Sequence, residues 1–403
     1  MNDKRTLHQQ SAPPQDKPST PKLKSQAQLF LEITAISGEY PADNIHRIFS
    51  SSSYAKKKIS ALTTDKLLKV VNKGGVKGYR LAIGGKRELM ADNPARFAGY
   101  LDGVVETNKM RVGHARRLRL HSIAQVHTIM HNADVRIFQD NKPDLFSIPP
   151  SNQSQAVGGN LSMGTSRHLP VSAPCFYSSR EQKSDIDKSN AIRGSRAVGA
   201  LLTPTDVYAV YNTDSAFIGW REKVEHRYKA EIRERLCRGM LSEQYAGTEI
   251  SGLLIGRNLN ALEQYWATEK KGGAELSFLA NAYHPLYFIT NDVFGETQLR
   301  LLCEAAGMKA LTDTLLKGLQ PPDTKYPIEH DALTEDGTPV LFCCLLDIPR
   351  LIRFHNGLSL QGKIGKIIAF DFQEEVLMRY LGERAAFMKI SFEKFTAHFF
   401  PDK

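Results

Sequence analysis

The sequence predicts a mixed α/β chain of 403 residues that begins with a basic unit of three helices and a β-hairpin. Three observations lead to this prediction: apolar residues at helical spacing, a glycine-rich hairpin pattern, and basic charge confined to the same region. Residues 1–120 hold 22 Lys and Arg against 10 Asp and Glu, a net charge of +12. The remaining 283 residues hold 31 and 33, a net charge of −2, so the basic excess belongs to the N-terminal third.

Three helices are predicted in succession before the hairpin. The first covers 26–36, where apolar residues recur at three- and four-residue steps, and it ends at Gly38. Pro41 opens a second, short helix, and the serines of 50–53 offer an N-cap for the third. The third helix is apolar on one side and basic on the other, where it carries Lys56, Lys57 and Lys58.

A β-hairpin is predicted directly after the third helix, with strands at 68–71 and 78–81. Gly74 and Gly75 form its tip, because glycine adopts the positive φ that tight turns need. Three helices followed by a hairpin is the order of a winged helix, although a basic solvated helix beside an unrelated hairpin is the alternative. Order, spacing and charge together favour a winged helix that binds double-stranded DNA. The predicted DNA-contacting residues are Lys56, Lys57, Lys58, Lys73, Lys77 and Arg80.

The confined basic charge indicates a polyanionic partner. An anionic membrane surface would also attract this region, but the sequence has no long apolar helix and no lipidation signal, so we expect nucleic acid and no membrane. A Walker-type phosphate loop and a dinucleotide fingerprint are both missing from the sequence, so no nucleotide cofactor is expected. The five cysteines are scattered and suggest neither disulfides nor a zinc site, which favours a cytoplasmic protein. Homodimerisation is left open.

Composition divides the chain into six segments. We expect a disordered tail, a winged-helix domain, a helical linker region, a flexible loop, an α/β nuclease-like domain and a C-terminal α/β segment. These cover residues 1–24, 25–92, 93–146, 147–173, 174–316 and 317–403, respectively. The order of the elements from residue 174 onward predicts a mixed α/β fold.

A Mg²⁺-dependent nuclease needs carboxylates that converge on one metal ion, with a lysine nearby. A predicted hairpin of 206–211 with 216–220, turning at Thr213, would place Asp206 opposite Glu222 as the metal ligands. A two-residue turn would shift the partner to Arg221. Upstream, Glu181 and Lys183 form a Glu-x-Lys pattern, and the four candidate catalytic residues are Glu181, Lys183, Asp206 and Glu222. Ordinary surface carboxylates are the alternative interpretation.

The chain combines a predicted winged helix, linking helices and an α/β domain with the run VYAVYN and a Trp220-to-Glu225 spacing. These features resemble the replication-relaxation family of plasmids and integrative elements. They also resemble the MOB-C class of relaxases, over roughly residues 25–260. The resemblance implies a winged helix joined to a restriction-endonuclease-like domain, with element DNA as the partner. The function it implies is site-specific binding or Mg²⁺-dependent nicking near an origin. A non-catalytic transcription or replication regulator is the first alternative, and a protein-interaction adaptor is the second.

Overall fold

The computed structural model describes residues 25–102, 113–146, 170–184, 194–214, 221–263, 266 and 282–401. These residues form three β-sheets with helices packed against them, which confirms the predicted mixed α/β class. The predicted tail at 1–24 and most of the predicted loop at 147–173 lie outside the described residues.

The N-terminal unit contains two α-helices, a 3-10 helix and three short strands. In chain order these are α1 (Gln26–Ser37), β1 (Tyr40–Pro41), a 3-10 helix (Ala42–Arg47), α2 (Ser52–Thr64), β2 (Leu68–Lys73) and β3 (Val76–Leu81). The strands form an antiparallel sheet in the order β1-β3-β2. Ser25 and Ser51 cap α1 and α2, because their hydroxyls accept the backbone N–H three residues ahead.

An aromatic cluster around Phe30 of α1 holds this unit together. The Phe30 ring centroid lies 5.1 Å from that of Tyr40, 5.4 Å from that of Phe49 and 5.6 Å from that of Tyr79. Each of these side chains is buried, so the cluster joins α1 to β1, to the segment before α2 and to β3. Offset and edge-on aromatic pairs of this kind add to the hydrophobic stabilisation of a core.

Three further helices follow the hairpin: α3 (Ile83–Asp92), α4 (Pro94–Leu101) and α5 (His114–Asn132). The second half of α5 is almost entirely buried, because it packs on α1, on β3 and on the central sheet. Ser37 of α1 makes a 2.8 Å hydrogen bond with His127 of α5, and Gln125 accepts a 2.9 Å hydrogen bond from Asn212. The predicted linker region therefore contributes a helix that contacts both neighbouring units.

The central sheet has five strands in sequential order, β4 (Cys175–Ser178), β5 (Gly199–Leu202), β6 (Val207–Asp214), β7 (Ile250–Gly256) and β8 (Leu286–Thr290). β4, β5 and β6 are antiparallel neighbours, whereas β6, β7 and β8 are parallel. The predicted hairpin of 206–211 with 216–220 is therefore wrong, because β5 and β7 occupy the two edges of β6. The predicted turn residues Asn212 and Thr213 continue β6, and residues 215–220 lie outside the described part.

A second sheet has the order β12-β11-β10-β9, with β9 antiparallel and the others parallel. Its strands are β9 (Ala332–Leu333), β10 (Pro339–Phe342), β11 (Gly365–Phe370) and β12 (Ala385–Ile390). It adjoins the central sheet, because the Phe288 N–H donates to the Leu346 carbonyl at 3.2 Å. Among the described helices, none has the length and apolarity needed to cross a membrane.

Helices pack against both larger sheets. They are α6 (Glu181–Ser184), α7 (Glu222–Ile232), which continues as a π-helix (Arg233–Met240), α8 (Ser242–Tyr245), α9 (Val293–Cys303), α10 (Ala305–Leu315), α11 (Ile348–Gln361), α12 (Glu374–Leu381) and α13 (Phe392–Phe399).

Candidate nucleic-acid interface

Helix α2 presents a basic face to solvent. Ala55 and Ile59 are buried on its inner side, whereas Lys56 and Lys57 are exposed. Lys58 is partly buried and lies over the ring of Tyr54, with its Nζ 5.4 Å from the ring centroid. Within the described part of the chain, Lys56 and Lys57 form no ion pair, so their charges are available to a partner.

The hairpin carries three more exposed lysines, Lys69, Lys73 and Lys77, which also lack acidic partners among the described residues. Side chains alternate between the two faces of a strand. Lys77 therefore shares the face of Tyr79, which packs on the aromatic cluster, and Lys73 lies on the opposite face with Lys69. The tip between them uses Gly74 and Gly75, at φ 62° and 75°, as the sequence predicts.

Arg80 lies in a buried ionic cluster beneath the hairpin. The carboxylate of Glu39 is fully buried and pairs with Arg80 and Arg117, each through an Nη2 atom at 2.6 Å. His121 Nε2 lies 2.8 Å from the same carboxylate. Arg80 is only 3% exposed. The prediction that Arg80 contacts DNA is therefore wrong, because its guanidinium is buried and paired.

The cluster keeps Glu39 ionised. Burial alone would raise the pKa of this carboxyl, but hydrogen bonds from His121, Arg117 and Arg80 outweigh burial and lower its pKa from 4.5 to about 2. Two arginines share one carboxylate, so the cluster keeps a net positive charge below the hairpin.

Arg117 also fastens the hairpin to α5. Its guanidinium donates to the carbonyl of Val71 at 3.0 Å and to that of Lys73 at 2.9 Å. These carbonyls belong to β2, the edge strand of the small sheet. Arg117 thus holds the hairpin. It also binds Glu39, which lies 78 residues earlier in the sequence. No local sequence pattern signals this contact.

Glu181, a candidate catalytic residue, is held by neighbouring groups at both carboxylate oxygens. Its Oε2 accepts from the Ser178 N–H at 2.7 Å and from the Ser178 hydroxyl at 2.9 Å. Its Oε1 lies 2.7 Å from Nζ of Lys142, which is buried and also donates to the Phe176 carbonyl at 2.6 Å. These contacts give Glu181 a structural role at the end of β4. Lys183 lies in α6, and its side chain is outside the described part.

Asp206 and Glu222 lie towards opposite ends of β6. Asp206 precedes the strand and accepts from the Thr205 hydroxyl at 2.5 Å, whereas Glu222 begins α7 and has a side chain 71% exposed. One turn after Glu222, Glu225 accepts a 3.2 Å hydrogen bond from the hydroxyl of Tyr211. Tyr211 is five residues beyond Asp206, about 16 Å along an extended strand.

Mg²⁺ ligands must lie about 2.1 Å from one ion. The positions of Asp206 before β6 and of Glu222 at the start of α7 do not favour the predicted metal pair, which stays a prediction. Among the residues described, no group of three or more His, Cys, Asp or Glu side chains is arranged to hold a metal ion. These carboxylates do not fit the Mg²⁺ site that the nuclease interpretation requires.

Comparison with protein-family models, with curated proteins and with solved structures gave no match. Any functional interpretation of this chain therefore depends on the geometry of its own residues.

Proposed function

We propose that this protein binds double-stranded DNA through an N-terminal winged helix, with α2 in the major groove and the β2–β3 hairpin as the wing. The observation that carries this proposal is the set of solvent-exposed lysines without acidic partners on these two elements. They are Lys56, Lys57, Lys69, Lys73 and Lys77. Lysines that neutralise phosphates release condensed counterions, which supplies most of the sequence-independent affinity for a duplex.

The connectivity of the unit supports the same proposal. A winged helix needs a helix, a short strand, two further helical segments and a hairpin that pairs with the short strand. Here β1 pairs with β3, the 3-10 helix stands where the second helix is expected, and α2 runs directly into β2. Between 52 and 81 the chain carries eight Lys and Arg against one Asp, which suits a groove-binding helix and its wing.

A non-catalytic role is favoured over nicking. The separation of Asp206 from Glu222 and the engagement of Glu181 argue against a Mg²⁺ site built from these residues. We therefore propose a regulator or replication accessory factor, for which the α/β body serves as a scaffold. DNA of a plasmid or integrative element is the target that the family resemblance suggests.

The salt dependence of binding tests this proposal. Fluorescence anisotropy of a labelled duplex of about 30 base pairs, titrated at several salt concentrations, gives the slope of log affinity against log salt. We expect Lys57→Ala and Lys77→Ala each to lower the magnitude of this slope by about 0.9, which corresponds to one phosphate contact. Lys389→Ala is the matched control, since Lys389 is an exposed lysine on β12. Negligible duplex affinity in the wild type, or slopes unchanged in both variants, would overturn the proposal.

Incubation of bound supercoiled plasmid with Mg²⁺ distinguishes the regulator from a nickase. We expect the plasmid to stay supercoiled at protein concentrations that shift it fully in a gel. Nicking that persists in Asp206→Asn and Glu222→Gln would show a catalytic site elsewhere in the chain. Nicking lost in both variants would contradict the geometry described above.

A further inference from the structure

Four arginines gather where α5 meets the first strands of the central sheet. Arg116 and Arg119 are three residues apart on α5, so they lie on one face of the helix. Arg119 donates to the Ser195 carbonyl at 3.3 Å and to the Ser179 hydroxyl at 3.5 Å. The residues that follow these two serines are arginines, so the arginine cluster comprises Arg116, Arg119, Arg180 and Arg196.

The positive charge of this cluster is poorly compensated within the described part of the chain. Arg116, Arg180 and Arg196 form no ion pair there. A neighbouring carboxylate, that of Glu225, is buried and already accepts from the Ser195 hydroxyl at 2.7 Å and from the Arg196 N–H at 2.9 Å. Among the residues that the structure describes, no acidic side chain forms an ion pair with the guanidinium groups of Arg116, Arg180 or Arg196.

Burial and mutual repulsion both act on these guanidinium groups. Burial lowers the pKa of Arg180 to about 10; Tyr100 acts in the opposite direction, and the nearby charge of Arg116 adds a smaller lowering effect. Burial likewise lowers the pKa of Arg119, with the charge of Arg196 acting in the same direction. A bound anion would relieve the repulsion and offset the loss of hydration.

The arginine cluster adjoins the lysines of the hairpin. A Cβ atom added to Gly74 at the hairpin tip would lie 3.3 Å from Nδ1 of His114, the first residue of α5. Arg116 follows His114 by two residues, and Lys73 precedes Gly74 by one. The hairpin tip therefore lies beside the N-terminus of the helix that carries Arg116 and Arg119.

We propose that the arginine cluster binds backbone phosphates of the same DNA duplex, so that the footprint extends from the winged helix onto the α/β body. Arginine suits this role, because its planar guanidinium offers paired donors that match two phosphate oxygens. The inference depends on the DNA-binding function proposed above and adds a second contact surface to it.

The variant Arg116→Ala/Arg196→Ala tests the inference, because both side chains are exposed and their removal leaves the core intact. On a duplex of about 30 base pairs we expect the magnitude of the salt slope to fall by about 1.8, since about 0.9 is lost per phosphate contact. Hydroxyl-radical footprinting should show the protected stretch shortened at one end only. Arg384→Ala/Lys389→Ala is the matched control and should leave both readouts unchanged, since Arg384 directly precedes β12, Lys389 lies on β12, and both are exposed.

The outcomes separate this inference from the function on which it rests. An unchanged slope and footprint in Arg116→Ala/Arg196→Ala, with a lowered slope in Lys57→Ala, would refute DNA binding by the arginine cluster. It would leave DNA binding by the winged helix supported. Absence of duplex binding by the wild-type chain would refute both the proposed function and this inference. Thermal stabilisation by inorganic phosphate that this variant loses, with no change in its DNA slope, would assign the cluster to free phosphate and also overturn the inference.

Discussion

Replacement of Glu39 by glutamine should loosen the hairpin without unfolding the rest of the chain. The substitution keeps the side-chain shape but removes the charge that two buried guanidinium groups share. Side-chain exposure is 4% for Arg80, 2% for Arg117 and 0% for Glu39, so solvent cannot replace the lost partner. Breaking a buried ion pair in this way costs about 3–5 kcal/mol.

The lowered pKa of Glu39 gives a second measure of the same interaction. A fall from 4.5 to about 2 corresponds to about 3 kcal/mol of preferential stabilisation of the carboxylate in the folded protein. Because the folded pKa is below the unfolded one, this stability is fully present above pH 4.5. It is lost as the pH falls from 4.5 towards 2.

Amide hydrogen exchange in β2 and β3 measures this local stability, which a global unfolding curve does not resolve. At pH 7 we expect Glu39→Gln to exchange about 100-fold faster than wild type in these strands, since each 1.4 kcal/mol is a factor of ten. After correction for intrinsic exchange, wild-type protection should fall between pH 4.5 and 2, whereas the variant should lack this fall.

The control is Glu88→Gln, which changes an exposed glutamate of α3. It should leave the hairpin exchange rates unchanged at every pH. Equal protection of β2 and β3 in Glu39→Gln and wild type would refute the role of the cluster in fixing the hairpin.

Two further substitutions have definite expected outcomes. In Gly78→Ala the new Cβ would lie 2.5 Å from Oε1 of Glu39, so we expect hairpin amides to exchange at least about tenfold faster. Gly113→Ala, where a Cβ meets nothing within 4 Å, should leave these rates unchanged. For Asp347, burial raises the pKa to about 6 against the opposing effect of Arg350, so its charge destabilises the fold increasingly from pH 3.8 to 6. Asp347→Asn should therefore raise the urea midpoint at pH 7, with a gain of about 3 kcal/mol in unfolding free energy, and leave the midpoint nearly unchanged at pH 3. A lower midpoint at pH 7 would contradict this account.

The local elements of the N-terminal unit could be predicted because each has its signal within a few residues. The predicted helix at 26–36 became α1, Gln26–Ser37, and Gly38 ends it as expected. The predicted strands at 68–71 and 78–81 became β2 and β3, each of which is two residues longer towards the tip. Helical spacing, serine caps and glycines at the tip are all short-range features.

The central sheet could not be predicted in the same way, because its pairings depend on distant segments. Asn212 and Thr213 are typical turn residues, yet they extend β6. The Asn212 amide donates to Gln125 of α5, and the Thr213 hydroxyl donates to the Ile255 carbonyl of β7 at 3.3 Å. Polar groups satisfied by partners more than 40 residues away have no local signature, so the hairpin prediction was wrong, and the geometry from which the carboxylate pair was predicted is not present.

Arg80 shows why charge alone is a poor guide to a binding surface. Its position on β3, beside Lys77, fits a phosphate contact when the sequence is considered alone. In the structure, the buried Arg80 guanidinium instead donates a hydrogen bond to Glu39, which lies 41 residues earlier in the sequence. The exposed lysines differ only in that no carboxylate among the described residues approaches them, and sequence spacing does not reveal this difference.

The attachment of the hairpin to α5 has a consequence for larger assemblies. Helix α5 contacts α1, β3 and β6 and is bonded to the hairpin through Arg117, so we expect the hairpin and the α/β body to move together. On a duplex, the body would then project at a fixed angle about the helical axis. Copies bound at sites separated by whole turns, about 34 Å apart, would present their bodies on one side of the DNA. Insertion of half a turn between such sites would place the bodies on opposite sides.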